Sequence, residues 1–113
     1  MSNLCTFCKI LQKEIPANVV YEDDKVLAFT DIRPAAPTHV LLIPKTHYDS
    51  ISDVPAGDPI LSYMAHCATK IAGQLGLREG YRLVVNVGDN GGQTVYHLHL
   101  HLLGGRFMAW PPG

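Results

Sequence analysis

The sequence predicts an α+β domain in which a mainly antiparallel sheet packs against one long and one short helix. Two observations indicate this class. Several apolar runs have strand length and are separated by polar or glycine-rich turns, whereas a single long segment repeats apolar residues at helical spacing. Runs of strands with one long helix between them are typical of α+β proteins. A chain of 113 residues fits one domain spanning residues 1–113.

The elements of the first half are a short helix, a hairpin and a strand. The helix is predicted over residues 5–12, ahead of Pro16. The segment "NVVYEDDKVLAFTD" reads as two strands joined by a polar turn from Glu22 to Lys25. The continuous apolar run "THVLLIP" predicts a buried strand that ends at Pro44.

The long helix is predicted over residues 59–75. Asp58 suits its N-cap, Pro59 its first turn, and Gly76 the stop after its last turn. Its apolar residues recur every three or four positions and define one face. They are Leu61, Met64, Ala65, Ala68, Ile71, Ala72 and Leu75.

Two further strands flank a glycine-rich loop. "YRLVVNV" alternates between its faces, the loop "GDNGGQT" follows, and "YHLHLHLLGG" alternates histidine with leucine. The tail that contains "WPPG" is neither helix nor central strand, because proline lacks the N–H that both require.

Composition narrows the class of protein. The formal net charge is −1, so no basic surplus indicates a nucleic-acid partner. No segment reaches the ~20 apolar residues of a membrane span, and the N-terminus does not resemble a signal peptide. Three cysteines, an odd number, argue against a closed disulfide framework. We therefore expect a cytoplasmic protein without a membrane or nucleic-acid partner.

The three histidines of "YHLHLHLLGG" admit three interpretations. His97, His99 and His101 share one strand face, opposite a leucine face, which could simply be a polar surface. A zinc site is the second interpretation, but the outer two residues are ~13 Å apart along a strand, so all three cannot easily hold one ion. The third is catalysis: a neutral imidazole attacks phosphorus well when a carbonyl holds its Nδ1–H and leaves Nε2 free.

The upstream loop favours a phosphate-containing substrate. Glycines allow backbone N–H groups to converge on an anion, and Gln93 and Thr94 add side-chain donors. The loop does not have the P-loop pattern, and by itself it could be a plain turn. Near the N-terminus, Cys5 and Cys8 form a C-x-x-C pair, which is either half of a zinc site or a redox-silent pair.

These motifs resemble one family. "HLHLHLL" fits the His-x-His-x-His-x-x pattern of the histidine triad superfamily, and the similarity extends over nearly the whole chain. The ending "GGR…WPPG" is similar to the Hint branch. The resemblance implies a homodimer in which two five-stranded antiparallel sheets join into one ten-stranded sheet. The tail, residues 104–113, would then reach the partner. The resemblance also implies a purine nucleoside phosphoramidase that needs no catalytic cofactor.

The resemblance also assigns roles to residues. His99 matches the nucleophile, His101 the residue that contacts the phosphate and assists the leaving amine, and His97 with His39 the positions that support the nucleophile. Asp31 matches the carboxylate that accepts the ribose hydroxyls, and Trp110 an aromatic that reaches the partner's site. The purine slot matches Phe7, Ile10, Ile15, Phe29, Ile32 and Leu41, and the phosphate contacts match Asn86, Gly92, Gln93 and Thr94. Thr94 departs from the usual Ser, which puts the leaving-group preference in question.

Relatives with this C-x-x-C are similar to proteins that hold a structural zinc. The implied ligands here are Cys5, Cys8, His47 and His97. In that case His97 is a structural ligand close to the chemistry. Two alternatives stay open: a dinucleoside polyphosphate hydrolase on the same fold, and a zinc-dependent interaction module with a vestigial triad.

Overall fold

The computed structural model describes residues 5–113 and contains one five-stranded antiparallel sheet. Residues 1–4 of the predicted domain lie outside the described part. The strands occur in the order β1-β2-β3-β5-β4, so β1 and β4 form the two edges. The predicted α+β class is confirmed. The elements are α1 Thr6–Leu11, β1 Val19–Glu22, β2 Val26–Thr30, β3 Thr38–Pro44, a 3₁₀ turn Ile51–Asp53, α2 Ile60–Gln74, β4 Tyr81–Val84 and β5 Leu100–Gly104.

The predicted hairpin is formed by β1 and β2. One carboxylate oxygen of Asp23 accepts the N–H groups of Lys25 and Val26 at 2.8 and 2.9 Å, which closes the turn. This local side-chain bonding explains why an acidic turn separates two apolar runs. A shift of register between Val19 and Tyr21 interrupts the outer strand.

The continuous apolar run predicted as a strand is β3, with the predicted bounds. It pairs with β2 on one side and β5 on the other, and layers cover both of its faces. Val40 and Leu42 belong to the main core with α2, whereas Leu41 and Ile43 belong to a second core cluster with Phe7 of α1. Burial on both faces explains the absence of alternation.

Helix α2 covers the sheet face that holds the main core. It begins at Ile60, one residue later than predicted, and the Asp58 carboxylate accepts the Ile60 N–H at 3.0 Å. The predicted apolar face is wider than the part that the sheet covers: Leu75 is exposed and Leu61 is only half-buried. The helical residues that are buried are Met64, Cys67, Ala68, Ile71 and Ala72.

The last two strands are shorter than the alternating patterns predict. Pairing between them runs from Tyr81 opposite Gly104 to Val84 opposite His101, and β5 begins only at Leu100. The chain before Leu100 leaves the sheet, so the second half of "YRLVVNV" has no partner in β5 and leaves the sheet too. The prediction that the three histidines lie within one strand is therefore wrong for His97 and His99.

The alternation nevertheless continues beyond the paired region. Leu98, Leu100 and Leu102 all lie in the main core, and the histidines point away from it. Gly104, the first residue of the predicted tail 104–113, is buried and is the last residue of β5. Within residues 5–113, no helix is long and apolar enough to cross a membrane.

Candidate active site and metal centre

A cleft of about 280 Å³ lies between α1 and the sheet face that holds the second core cluster. His99 and His101 form one wall, and Asp31 lies at the end of β2. Ile32 stands at its rim and is 93% exposed. The lining brings together ten residues predicted from sequence: Phe7, Ile10, Ile15, Phe29, Asp31, Ile32, Leu41, Thr94, His99 and His101. Five others were not predicted: Thr6, Pro16, Ala17, Thr30 and Val95.

The remaining predicted residues lie elsewhere. Asn86, Gly92 and Gln93 belong to the neighbouring glycine loop or the chain just before it, and Trp110 is 81% exposed in the tail. Neither group lines the cleft within one chain. His39 and His97 are buried behind the cleft wall and contact it through His101 and His99.

His99 is held in one tautomer. Its Nδ1 lies 2.8 Å from the main-chain oxygen of His97. A carbonyl oxygen can only accept, so Nδ1 carries the proton and Nε2 keeps its lone pair. The side chain is buried, and this burial lowers the pKa of His99 below its usual range. A neutral imidazole with a free Nε2 is the form that acts as a nucleophile.

His101 is held in the opposite tautomer by a chain of hydrogen bonds. The Ala35 N–H donates to Nδ1 of His39 at 3.0 Å, so the His39 proton is on Nε2. That Nε2 lies 2.9 Å from Nδ1 of His101, which must accept, so His101 carries its proton on Nε2. Burial, together with the neighbouring imidazoles His99 and His39, lowers the pKa of His101 to about 4. The cleft wall therefore contains one imidazole acceptor and one imidazole donor.

His39 acts on His101 and not directly on His99. Burial lowers the pKa of His39, although the nearby Asp31 carboxylate opposes the shift. One oxygen of Asp31 is 3.5 Å from Nε2 of His39, and the other accepts the Arg33 N–H at 2.8 Å. The carboxylate is thereby fixed at the cleft and retains lone pairs for a ligand.

Hydrogen bonds of the buried Gln93 side chain hold the glycine loop in place. The Gln93 amide donates to the carbonyls of Asp49 and Val95 at 2.6 and 3.1 Å, and its oxygen accepts the Gly88 N–H at 3.0 Å. Gln93 was predicted to offer a side-chain donor to phosphate, but both of its amide hydrogens are used within the protein. This buried side chain shapes the loop.

Asn86 and two glycines complete the loop. The Asn86 amide donates to the Gly91 carbonyl at 2.7 Å. A Cβ at position 91 would lie 2.2 Å from the Val87 carbonyl oxygen, so only glycine fits there. Gly92 has a φ of +79°, a conformation that disfavours other residues. Thr94 is the last residue of the loop and lines the cleft.

A second cluster lies behind His99. The Sγ atoms of Cys5 and Cys8 and the Nδ1 atoms of His47 and His97 are all within 4.8 Å of one another. Cys8 Sγ is 3.3 Å from His47 Nδ1, and Cys5 Sγ is 3.4 Å from His97 Nδ1. These separations suit a tetrahedral ion with bonds of about 2.0 to 2.3 Å. The four residues predicted as metal ligands are thus brought together.

The hydrogen bonds of the two rings also suit a metal. Nε2 of His47 is 2.7 Å from a carboxylate oxygen of Asp49, and Nε2 of His97 is 2.9 Å from the Pro44 carbonyl. Both partners are acceptors, so both Nδ1 atoms present lone pairs to the centre although they are only 3.0 Å apart. Burial and the Cys5 thiol raise the pKa of Cys8 to about 11, so a cation would displace a thiol proton on binding.

Asp31, His39 and His101 also lie close together, but their hydrogen bonds are those of a proton chain. Nε2 of His39 carries a hydrogen because the Ala35 N–H occupies Nδ1. That hydrogen lies between the atoms that would have to bind the ion, so it blocks a metal at this position. Of the two clusters, the one with thiols is the one that fits a metal ion.

Three supporting groups escaped the sequence reasoning. Two are backbone groups, the Ala35 N–H and the Pro44 carbonyl, which no side-chain pattern reveals. The third is Asp49, two residues after His47. A carboxylate that follows closely after a candidate histidine ligand in the sequence supports the assignment, because a metal-binding histidine commonly donates its second N–H to a carboxylate.

Fold and site together define a class of small α+β domains in which buried histidines stand beside an apolar cleft at one sheet face. The chain belongs to the HIT domain family, whose model matches residues 12–108. The resemblance to the histidine triad superfamily and its Hint branch is thereby confirmed.

Named relatives cover nearly the whole chain. A "14 kDa zinc-binding protein" of Zea mays is 54% identical over 95% of this chain and 86% of its own. "Adenylylsulfatase HINT1" of Arabidopsis thaliana is 51% identical over 95% of this chain and 75% of its own. The chain is therefore related to proteins named for zinc binding and for hydrolysis.

Solved structures agree with this assignment. A HIT family hydrolase from Legionella pneumophila superimposes with a TM-score of 0.93 at 58% identity, covering 96% of this chain and 99% of the other. A Zn-bound histidine triad family protein from Mycobacterium smegmatis gives a TM-score of 0.82 at 36% identity, covering 91% and 76%. The protein is accordingly described as a HIT-family protein related to hydrolases.

Proposed function

We propose that this protein hydrolyses the P–N bond of purine nucleoside 5′-phosphoramidates, with adenosine as the nucleoside, and releases the nucleoside monophosphate. One observation carries the proposal: a buried, neutral His99 keeps Nε2 free at a cleft wall where His101 presents an N–H. An acceptor beside a donor is the arrangement that in-line displacement at phosphorus requires, one to attack and one to stabilise charge.

The cleft offers three zones to such a substrate. The purine occupies the apolar part around Phe7, Phe29 and Leu41, and the ribose hydroxyls donate to the Asp31 carboxylate. The phosphate lies against the histidines, where Thr94 supplies a hydroxyl. The adjoining glycine loop, with Asn86 and Gly92, shapes this side of the site. The N–H groups of Gly88, Gly92 and Gln93 are bonded within that loop.

In the first step the His99 Nε2 lone pair forms a bond to phosphorus while the P–N bond breaks. The His99 ring becomes positively charged, and its Nδ1–H remains on the His97 carbonyl, which stabilises that charge. His101 donates its Nε2–H to a phosphoryl oxygen or to the departing nitrogen. The departing nitrogen takes the electron pair of the broken P–N bond and one proton from the solvent, while His101 keeps its own proton.

In the second step a water oxygen attacks the phosphorus of nucleotidyl-His99. The P–N bond to Nε2 breaks, the electron pair returns to the His99 ring, and one proton of the attacking water is released to the solvent. The monophosphate is released and the starting tautomers are restored. Both displacements use the same two rings, which explains why their opposite tautomers are fixed by the backbone.

A second candidate substrate is adenosine 5′-phosphosulfate. The Arabidopsis relative is named an adenylylsulfatase and is 51% identical, and attack by His99 on the same phosphorus would release sulfate. A dinucleoside polyphosphate hydrolase is the third possibility. It shares the nucleophile and differs only in the leaving group.

The leaving group is tested by measuring kcat/KM on an adenosine phosphoramidate, adenosine 5′-phosphosulfate and a diadenosine polyphosphate with one enzyme preparation. We expect the phosphoramidate to be cleaved fastest and the polyphosphate slowest. A preference for the polyphosphate would contradict the proposal. His99→Ala should abolish turnover of every member of the panel while nucleoside monophosphate still binds.

The proposed resident metal is a structural zinc ion held by Cys5, Cys8, His47 and His97. Two soft thiolates and two imidazoles form a closed four-ligand set that leaves no position for substrate, so the ion organises the fold around α1. Thiolate ligands persist in a reducing compartment, which is why we also propose a cytoplasmic location. Elemental analysis of the purified protein should find close to one zinc per chain.

We further propose a homodimer in which two sheets join along their β4 edges. Among residues 5–113, strand β4 has a partner strand on one side only, and Tyr81 at its start is partly exposed. The tail leaves Phe107 and Trp110 88% and 81% exposed, and large apolar side chains that extend from a chain end suit burial against a second copy. Trp110 would then contribute to the partner's leaving-group side.

A further inference from the structure

The stretch that contains the nucleophile is not held by the sheet. His97 and His99 precede β5, whose pairing with β3 ends where Leu42 faces Leu100. A backbone hydrogen bond from the Leu98 N–H to the Tyr48 carbonyl, 2.7 Å long, ties this stretch to a loop. The orientation of the His99 ring therefore depends on contacts that lie outside the sheet.

His97 belongs to two sites at once. Its Nδ1 points at the two thiols and at His47, while its main-chain oxygen accepts the Nδ1–H of His99 at 2.8 Å. The His97 ring is completely buried, and its Nε2–H is fixed on the Pro44 carbonyl. With an ion on Nδ1 the ring would be held at both nitrogens, whereas thiol S–H donors are weak substitutes.

Phe7 makes a second connection. It lies between Cys5, the N-cap of α1, and Cys8 within the helix. Its ring meets the His99 ring edge-on, with centroids 5.1 Å apart and planes at 89°. The Phe7 and His97 ring centroids are 6.0 Å apart. A helix of six residues is marginal by itself, so ligands at Cys5 and Cys8 would fix α1 and with it the Phe7 ring.

We propose that the metal centre positions the nucleophile: a cation held by Cys5, Cys8, His47 and His97 sets the ring orientation and tautomer of His99 through His97 and Phe7. His97 and Phe7 are then positioning residues for the reaction, and removing the cation disorders His99 while the fold persists. The effect on turnover rests on the proposed function, whereas the effect on the His99 ring does not.

The test compares zinc-loaded protein with protein stripped by a chelator and with the double variant C5S/C8S. Long-range ¹H–¹⁵N spectra of the histidine rings report each tautomer directly. We expect zinc-loaded protein to show His99 as a single Nδ1–H form, and both metal-free samples to show a mixture with the Nε2–H form. The His39–His101 pair lies away from the centre and should keep its tautomers in every sample, which provides an internal control.

Kinetics supply the second readout. With metal removed, kcat should fall about 10- to 100-fold, the range typical of lost supporting contacts, while KM stays nearly unchanged. Phe7→Leu keeps all four ligands and should retain zinc but lower kcat by a smaller factor. Cys67→Ala is the matched control, because this buried cysteine packs in the main core and not in the cluster. It should change neither zinc content nor the His99 spectrum.

Several outcomes would overturn the proposal. The first is a purified protein without zinc, and the second is an unchanged His99 tautomer in folded metal-free protein. The third is metal-free protein that circular dichroism shows to be unfolded, because the ion would then act on the whole fold. If zinc-loaded protein cleaves no phosphoramidate but the His99 tautomer still depends on the metal, the proposed function fails and the positioning role stands.

Discussion

At the scale of single residues, backbone groups set the chemistry of the histidines. The His97 carbonyl fixes the tautomer of His99, and the Ala35 N–H fixes that of His39 and hence of His101. A pattern of histidines and leucines predicts which side chains share a face, because that follows from the period of an extended chain. It does not predict which ring nitrogen carries the proton, because the deciding groups are main-chain atoms, which a pattern of side chains does not reveal. For His101 the decision also depends on His39, which is 62 residues away in the chain.

The buried histidines should make folding stability sensitive to acid. The pKa of His101 is lowered to about 4, so as pH falls below about 6.5 the unfolded chain binds a proton that the folded chain refuses. Stability should therefore decrease progressively between about pH 6.5 and pH 4. Thermal unfolding followed across this range checks the prediction.

The variant His101→Gln isolates this contribution. It removes the titrating ring, so its melting temperature should fall less steeply with acid than that of the unaltered protein. His66→Gln is the control, because it removes a histidine that is exposed on α2. Equal slopes for His101→Gln and the unaltered protein would show that this ring does not cause the acid sensitivity.

At the scale of elements, sequence reasoning works where one physical cause dominates. The run from Thr38 to Pro44 is buried on both faces, so composition alone marks the strand and its ends. The strand around the histidines begins later than its alternation suggests, because alternation records an extended backbone and not a hydrogen-bonded partner. The bounds of β4 follow from the same pairing and could not be read from its own residues.

The glycine loop gives a prediction at this scale. Gln93 is buried and makes three hydrogen bonds to the backbone, so Gln93→Ala should lower the free energy of unfolding by about 2 to 4 kcal/mol. Chemical denaturation measures this loss. Gln74→Ala, at an exposed position of α2, is the matched control and should change stability by no more than about 0.5 kcal/mol. A loss of similar size in both variants would contradict the bracing role of Gln93.

At the scale of the whole molecule, the chain brings two sites together from distant segments. The C-x-x-C pair is visible in the sequence, yet His47 and His97 join it only because α1, the end of β3 and the chain before β5 meet in the fold. The sequence pattern alone therefore predicted half of the metal centre, the two cysteines, and the resemblance to a family predicted the two histidines. The cleft was also predicted only in part. Its aromatic and histidine residues were predicted, whereas Thr6 and Val95 were not.

The dimer is a second prediction at this scale. We expect sedimentation equilibrium to give twice the chain mass, and Tyr81→Lys on the β4 edge to weaken the dimer by placing a charge at the joint. Val19→Lys on the opposite edge is the control: Val19 is also exposed, at 48%, and its change should leave the dimer intact. A monomer at micromolar concentration, or equal effects of the two variants, would refute a joint along β4.

The central claim is that His99 attacks phosphorus and carries the nucleotide. It is tested most directly by mixing enzyme with an adenosine phosphoramidate, quenching in alkali within the first turnover, and mapping the modified peptide by mass spectrometry. We predict an adenylyl group on His99 that forms and decays at rates compatible with turnover, is absent from His99→Ala, and is retained in His66→Gln. Turnover without any adduct, or with the adduct on another residue, would contradict the account.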